Sequence, residues 1–374
     1  MKVQFILNNS HPFGANQSLV TLIEYLHDNG DDVFVLMPSK SILTQEYDKI
    51  GIKYDVIPYY STLFYVKFRF KYLIVPLFLL FDIFMFPYLL YKVRKNKPDI
   101  IYSNTSAENL GVFIAKLLKK KHVWHVREFM QLDFNAYFVL GKKIKTKFLN
   151  LSDRLFFVSE AVLKEVDPTS KLSVKSSVIY NGFKFEGSGY EDKVLPEKPV
   201  FGLVGMFDKA KNQLGAVHYF AEILKSYPDA RLLFYGGKTG TYRNKVEKLV
   251  FKLGIEDKVA FNGFVKNKKE IYNSIDILLM FSKAEGFGRV TVEAMGMGIP
   301  VIGFDNGGTK EIIIDENNGY LFDNYSSFEK ALNDLLGSCS NFNRIRINAI
   351  KYAMEKYSRQ QYIENIMHNL QEIV

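Results

Sequence analysis

Residues 282–311 read Ser-Lys-Ala-Glu-Gly-Phe-Gly-Arg-Val-Thr-Val-Glu-Ala-Met-Gly-Met-Gly-Ile-Pro-Val-Ile-Gly-Phe-Asp-Asn-Gly-Gly-Thr-Lys-Glu. A glycine turn leads into a helix-forming run. A buried-strand run follows from Pro300 to Phe304, and then a second glycine turn. Glu285 and Glu293 stand eight positions apart around the first turn. Glycines let the backbone approach a ligand and present its N–H groups. A helix opening just after such a turn adds a positive dipole end, which suits a diphosphate. Glu293, within two turns of that helix start, is placed to accept hydrogen bonds from ligand hydroxyls. Phosphate at one end and polyol at the other describe a nucleotide-sugar. The plain alternative is two solvated glutamates beside a structural turn, and a bare Glu-x7-Glu carries little weight on any acidic helix.

Outward from this stretch, short apolar runs alternate with helical patterns. In the second half the apolar runs are Val200 to Val204, Arg231 to Tyr235, Val259 to Phe261, Ile277 to Phe281 and Val301 to Phe304. Helical patterns lie near Gln213 to Ser226 and Tyr242 to Leu253. In the first half, Lys2 to Leu7, Asp32 to Met37, Ile100 to Ser103, His122 to Val126 and Leu155 to Val158 read as strands, with a helix at about Gln17 to Asn29. Such alternation argues for parallel, doubly wound sheets. The polar, glycine-bearing, proline-bounded segment 186–199 reads as a linker between an α/β domain at 1–185 and a second at 200–356, and 357–374 reads as a terminal helix. A chain of 374 residues suits two domains.

Cys339 is the only cysteine, so no internal disulfide forms, which is compatible with a reducing compartment. The N-terminal Met-Lys-Val-Gln-Phe-Ile-Leu-Asn-Asn lacks the long apolar core and cleavage site of a signal peptide. The expected location is cytoplasmic. The net charge of +9 is unevenly placed: residues 1–185 hold 25 Lys+Arg against 16 Asp+Glu, and residues 186–374 hold 24 of each. A basic half attracts polyanions, anionic lipid headgroups or pyrophosphates. No nucleic-acid motif is present, and the basic residues are interspersed with apolar stretches, which favours a membrane surface. Tyr72 to Tyr91 is long enough to span a bilayer. It carries Asp82 near its middle, at a cost of about 2.5–3.5 kcal/mol in a bilayer, two prolines (Pro76, Pro87), and basic flanks on both sides. We expect an aromatic-rich, partly exposed element dipping into the inner leaflet. An ordinary core helix and a spanning helix are the alternatives.

Glu285-x7-Glu293, the Gly-Phe-Gly after the first glutamate, the Asn306–Glu311 run, the Gly-Ile-Pro-Val strand entry and Asn318-Gly319-Tyr320-Leu321-Phe322 together resemble the donor-site signature of GT4-type retaining glycosyltransferases. The resemblance implies a GT-B fold: two Rossmann-like doubly wound domains facing across a cleft, the first for acceptor and the second for nucleotide-sugar, with the last helix crossing back to the first. It implies ribose on Glu293 and donor sugar hydroxyls at Glu285. The β-phosphate falls on the amides of Gly286, Phe287 and Gly288, on Lys211 and on Gly14. Gly205 to Gln213 is similar to the family's Gly-Arg-x4-Lys segment, with Lys211 in the lysine position and Met206 where the arginine usually stands. Lys209 is a second candidate cation, or an exposed basic turn. Phe13-Gly14-Ala15-Asn16 resembles the family's first glycine loop, or is a plain turn; Asn181-Gly182 resembles the Asn-Gly that ends the first domain, or is a hinge.

His125, at the end of an apolar run, occupies a position where the family often has a His or Asp near the donor sugar, and strand ends line the cleft in open α/β sheets. Arg127, Glu128, Asn104 and Thr105 share that location as acceptor or cleft candidates. No Asp-x-Asp and no His/Cys cluster with metal spacing occurs in the sequence. The expected reaction is therefore metal-independent and uses no cofactor beyond the nucleotide-sugar co-substrate, with a UDP-sugar as the favoured donor. The resemblance implies front-face transfer of a sugar to a hydroxyl of a membrane-associated glycan or polyprenyl-linked acceptor in bacterial surface polysaccharide (capsule or exopolysaccharide) synthesis. A sugar-nucleotide epimerase and an inert partner subunit or glycan-binding protein are the competing readings, the last supported by Met206.

Overall fold

The computed structural model describes residues 1–10, 14–60, 63–65, 71–129, 132, 136–138, 140–185, 190–237 and 240–373. Phe13 of the first glycine loop lies outside them. The chain forms two units, one of Met1–Gly182 with Arg359–Val374 and one of Phe183–Ser358.

In the first unit the strands are β1 (Lys2–Leu7), β2 (Asp32–Met37), β3 (Lys53–Val56), β4 (Leu63–Tyr65), β5 (Ile100–Asn104), β6 (Lys121–Val126), β7 (Ala136–Phe138), β8 (Arg154–Phe157) and β9 (Ser176–Val178). Seven form a parallel sheet in the order β3-β2-β1-β5-β6-β8-β9, and β4 pairs antiparallel with β7. Both sheet faces are covered, so the central strands are buried at nearly every position. On one face Phe5, Val35 and Tyr102 pack with the helices Ala15–Asp28, Ile42–Ile50 and Arg359–Gln371. On the other, Ile6, Leu36 and Ile101 pack with Leu89 and Val93 of the helix Lys71–Asn96 and with Ile114 and Ala115 of the helix Leu110–Leu118.

The segment containing Tyr72 to Tyr91 is thus part of one 26-residue helix that runs through both prolines. Pro76 and Pro87 are both exposed. At 1.5 Å per residue the helix is about 39 Å long, more than twice a five-residue strand of about 17 Å. One side of its C-terminal half enters the core: Leu89 is 0% and Val93 1% exposed. Asp82 is buried and accepts a hydrogen bond from the Tyr60 N–H at 2.9 Å. Burial pushes its carboxyl up to about 6.

The second unit contains β10 (Val200–Val204), β11 (Arg231–Tyr235), β12 (Val259–Phe261), β13 (Ile277–Met280), β14 (Val301–Phe304) and β15 (Tyr320–Phe322), all parallel, in the order β12-β11-β10-β13-β14-β15. Helices on one side bury Phe220, Phe328 and Phe342 against Phe201, Leu279 and Ile302. Segment 190–199, expected to be a linker, is part of this unit. The Lys193 N–H donates to Asn343 Oδ1 at 2.8 Å, and Arg346 donates to the Glu191 carbonyl at 3.2 Å. The chain passes between units at Gly182/Phe183 and Ser358/Arg359 instead. Gly182 is required there, because a Cβ would lie 2.5 Å from Cβ of Tyr362.

Candidate active site

The C-terminal ends of β10, β13 and β14 meet at one edge of the second sheet, the edge where ligands bind in open α/β folds. After β13, Gly286 to Gly288 turn into the helix Arg289–Gly296. Gly288 has φ +101°, and a Cβ there would sit 2.9 Å from Ile312 Cδ1. After β14 the second glycine turn is stacked on the first, backbone to backbone. The Gly308 N–H donates to the Glu285 carbonyl at 2.7 Å, and a Cβ on Gly308 would lie 2.2 Å from the Phe287 carbonyl oxygen. The glycines of the signature therefore hold the Glu285 loop by close approach, which no larger residue permits.

Two cation–carboxylate clusters form on this frame. Lys211 lies in a short turn, Lys209–Lys211, after β10. Its Nζ donates to Glu285 Oε2 at 2.5 Å, with 27% of the lysine and 15% of the glutamate side chain exposed. Its stem lies over Gly205, so the turn after β10 and the turn after β13 are joined through this pair. Lys209 is exposed, and the Met206 side chain is 58% exposed and offers no charge. Glu293 accepts from Lys268 Nζ at 2.6 Å, from the Tyr272 hydroxyl at 3.2 Å and from Arg289 at 3.5 Å. The Arg289 guanidinium also lies 4.6 Å above the Phe183 ring, which stacks on Phe287. Phe287 itself is buried, so only its backbone faces the turn.

Lys268, Tyr272 and Arg289 were not among the residues singled out from sequence. Arg289 is one helical turn before Glu293, a spacing that sequence displays. Lys268 and Tyr272 arrive from a different helix, Lys268–Asn273, and no local spacing announces them.

In the first unit Gly14 opens the helix Ala15–Asp28 with φ +58°, and among the described residues nothing lies within 4 Å of where a Cβ would stand. The other candidates are buried. Arg127 is 7% exposed and spends its guanidinium on Asn104 Oδ1 (2.7 Å), Asn181 Oδ1 (2.6 Å) and the Tyr362 hydroxyl (3.2 Å). Asn104 in turn donates to Asn16 Oδ1 at 3.0 Å, and Asn16 to the Asn9 carbonyl at 3.1 Å. Thr105 is held in the left-handed region at φ +87° and accepts the Trp124 indole N–H on its carbonyl. Glu128 accepts from the Ser106 N–H at 2.7 Å and hydroxyl at 2.6 Å, and burial pushes its carboxyl up. Beside it Lys145 is buried 3.9 Å above the Trp124 ring and donates to Asn109 Oδ1; burial lowers its ammonium to about 7. These residues form a satisfied polar frame under the strand ends.

His125 is fully buried as well. Its Nδ1 is 2.6 Å from the Tyr102 hydroxyl, and its ring lies edge-on to Phe156. Burial first, then the Arg127 charge, holds its pKa well below the usual value, so it is a neutral core imidazole. The strand ends at Val126, where the apolar run ends, and the side chain of His125 packs into the sheet core beneath that end. Among the described residues no three His, Cys, Asp or Glu side chains are grouped to hold a metal ion.

Comparison with known proteins agrees with this architecture. The model for glycosyl transferases group 1 matches residues 191–352, and that for glycosyltransferase family 4 matches residues 13–186. Poly(glycerol-phosphate) alpha-glucosyltransferase of Bacillus subtilis (strain 168) is 24% identical over 289 residues, 75% of this chain and 42% of that protein. N-acetyl-alpha-D-glucosaminyl L-malate synthase of Bacillus anthracis is 32% identical over 179 residues, 46% of each chain. The chain thus spans less than half the length of these curated relatives. The crystal structure of Anabaena Alr3699/HepE with UDP superposes over 100% of both chains, with a TM-score of 0.81 and 18% identity. The stacked glycine turns, the paired glutamates and two adjoining family matches lead to one conclusion: the chain belongs to the group 1, family 4 glycosyltransferases, and its fold is GT-B.

Proposed function

We propose that the protein is a metal-independent retaining glycosyltransferase that moves a sugar from a nucleoside diphosphate to a hydroxyl of a membrane-associated glycan or lipid-linked acceptor. The setting is bacterial surface polysaccharide synthesis, with the protein peripheral at the cytoplasmic face of the membrane. The observation that carries this reading is the Lys211–Glu285 pair at the head of the glycine turn, with Glu293 less than two helical turns further on.

In this reading the ribose hydroxyls donate to Glu293, replacing part of its contact with Lys268 and Tyr272. The diphosphate lies at the 286–288 amides and the opening of the helix Arg289–Gly296. Lys211 exchanges Glu285 for a phosphate oxygen, and Glu285 is then free to accept from a donor sugar hydroxyl. The acceptor hydroxyl attacks the anomeric carbon on the face from which the diphosphate leaves. The C–O bond to phosphate breaks as the new C–O bond forms, and the hydroxyl proton passes to the departing phosphate oxygen, so configuration is retained. Glu285 differs from the nucleophile of a retaining glycosidase, because its partner is an ammonium that the leaving group needs. Stabilising the diphosphate charge then supplies most of the rate.

Support for a nucleotide-sugar donor also comes from Anabaena HepE, solved with UDP and with UDP-glucose. Support for a surface-glycan setting comes from the poly(glycerol-phosphate) glucosyltransferase relative. A second reading, an inert partner subunit or glycan-binding protein, is favoured by Met206 in the arginine position.

The test is thermal stabilisation by UDP-, GDP-, ADP- and CMP-sugars, with Glu293→Ala as control. A ligand at 100 times its Kd stabilises by about 2.7 kcal/mol. A shift with one nucleotide that the variant loses is expected. No shift with any nucleotide sinks the donor-site reading and favours the inert partner.

A further inference from the structure

The two faces of the first sheet carry opposite surfaces. The helices Ala15–Asp28, Ile42–Ile50 and Arg359–Gln371 on one face expose mixed charge, with Glu24, Asp28 and Glu46 among them. On the other face lie Lys71–Asn96, Leu110–Leu118 and Lys142–Asn150. The first two share a core cluster, and the second and third meet through the Phe113–Phe148 ring contact. These three helices contain one acidic residue, Asp82, and it is buried. The surface they show to solvent therefore has no helical carboxylate.

It has two other ingredients. Along Lys71–Asn96 the side chains of Leu77, Leu80, Phe84, Tyr88 and Tyr91 fall at spacings of three and four and are all exposed, Phe84 by 80%. That is one continuous apolar stripe. Lys116, Lys119, Lys143 and Lys147, on or next to the two shorter helices, are exposed and form no ion pair among the described residues. Arg94 and Lys95 close the long helix with further exposed cations. Ile74–Asn96 is apolar and long enough to cross a bilayer, yet Leu89 and Val93 are built into the core beside Ile114 and Lys92 pairs with Asp55 at 2.7 Å. Spanning would require tearing that core open, so the stripe is satisfied only from outside. A soluble polyanion would need the lysines but not the stripe. A second copy of the chain would bring cations against cations. An anionic bilayer matches both, with headgroups for the lysines and the acyl boundary for the stripe.

We propose that this three-helix face of the first unit is a docking surface for an anionic lipid bilayer, with the Leu77–Tyr91 stripe entering the acyl boundary and the lysines on the headgroups. The proposal rests on the membrane-associated acceptor inferred above and adds the face, the lipid class and the orientation: the mixed-charge face points away from the membrane.

The test is flotation of the full chain with phosphatidylcholine vesicles, with and without phosphatidylglycerol, at low and high salt. Binding is expected only with phosphatidylglycerol. Each lysine near a surface contributes about 1 kcal/mol, so K116Q/K119Q/K147Q lowers partitioning roughly a hundredfold. L80S/F84S, which leaves the cations intact, lowers it at least about tenfold. Equal binding to both vesicle types, or none to either, overturns the proposal. So does L80S/F84S binding like wild type while heparin competes, which would mark a soluble-polyanion site. Stabilisation by the nucleotide-sugar is measured on the same preparations, so lost lipid binding with an intact donor response overturns this surface alone.

Discussion

The Lys211–Glu285 pair makes a prediction whose sign differs for its two members. In the free protein the ammonium sits 2.5 Å from Glu285 Oε2. In the proposed donor complex the diphosphate takes that ammonium away from the carboxylate. Lys211→Gln removes a charge-assisted hydrogen bond to phosphate, worth about 1.5–3 kcal/mol, so Kd for the diphosphate rises roughly 10- to 150-fold. Glu285→Gln removes the competitor instead. It frees the lysine and deletes a negative charge next to the phosphate, so the diphosphate binds tighter by about 1 kcal/mol, roughly fivefold, while sugar transfer falls. Neither change touches Glu293, so the bare nucleoside binds all three proteins alike. Titration calorimetry with the nucleoside, its monophosphate and its diphosphate measures every arm. The reasoning is refuted if Lys211→Gln weakens nucleoside as much as diphosphate, or if Glu285→Gln weakens the diphosphate.

Three other outcomes follow from the geometry. Gly308→Ala places a Cβ 2.2 Å from the Phe287 carbonyl oxygen, so the two glycine turns must separate; we expect a loss of at least about 2 kcal/mol in denaturant unfolding together with loss of nucleotide binding. Asp82 has its carboxyl raised to about 6 in the folded protein, against about 4 unfolded. Folded protein therefore holds a proton that the unfolded chain lacks between those values, so stability is highest below this window and is lost as pH rises through about 6. Asp82→Asn should leave stability unchanged at about pH 4 and raise it by about 1–2 kcal/mol at about pH 7.5, the figure being reduced for residual solvent screening; a constant offset at both pH values would contradict the assignment. Arg127→Met leaves Asn104 and Asn181 oxygens buried without their donor, costing about 2–4 kcal/mol, whereas Tyr362→Phe loses one 3.2 Å bond and costs about 1 kcal/mol or less; the reverse order would show that the network is centred elsewhere.

Much of this structure was legible in the sequence because parallel α/β proteins alternate strongly. Val200 to Val204 and Arg231 to Tyr235 are strands with the bounds the apolar runs suggested. The short outer strands β9 and β15 were harder. Ser176–Val178 has three residues and one apolar side chain, so it reads as a loop and becomes a strand only by pairing with β8. His125 shows a different limit. In a sheet buried on both faces the apolar run is continuous, so period-two alternation cannot say which way a side chain points; the neighbours Tyr102 and Phe156, brought in by β5 and β8, decide it. Gly288, Gly307 and Gly308 were readable as turns. That they also pack the two turns against each other depends on an approach across β13 and β14 that spacing does not encode. Segment 190–199 misled because a polar, proline-bounded composition describes solvent exposure, while its backbone groups are bound by Asn343 and Arg346.

The most direct test of the account is the configuration of the sugar released from the nucleotide-sugar that the thermal screen selects, followed by proton NMR before mutarotation. Front-face departure, with water standing in for the acceptor, predicts that an α-linked donor yields the α-anomer first. First appearance of the β-anomer would contradict front-face transfer at the Lys211–Glu285 site.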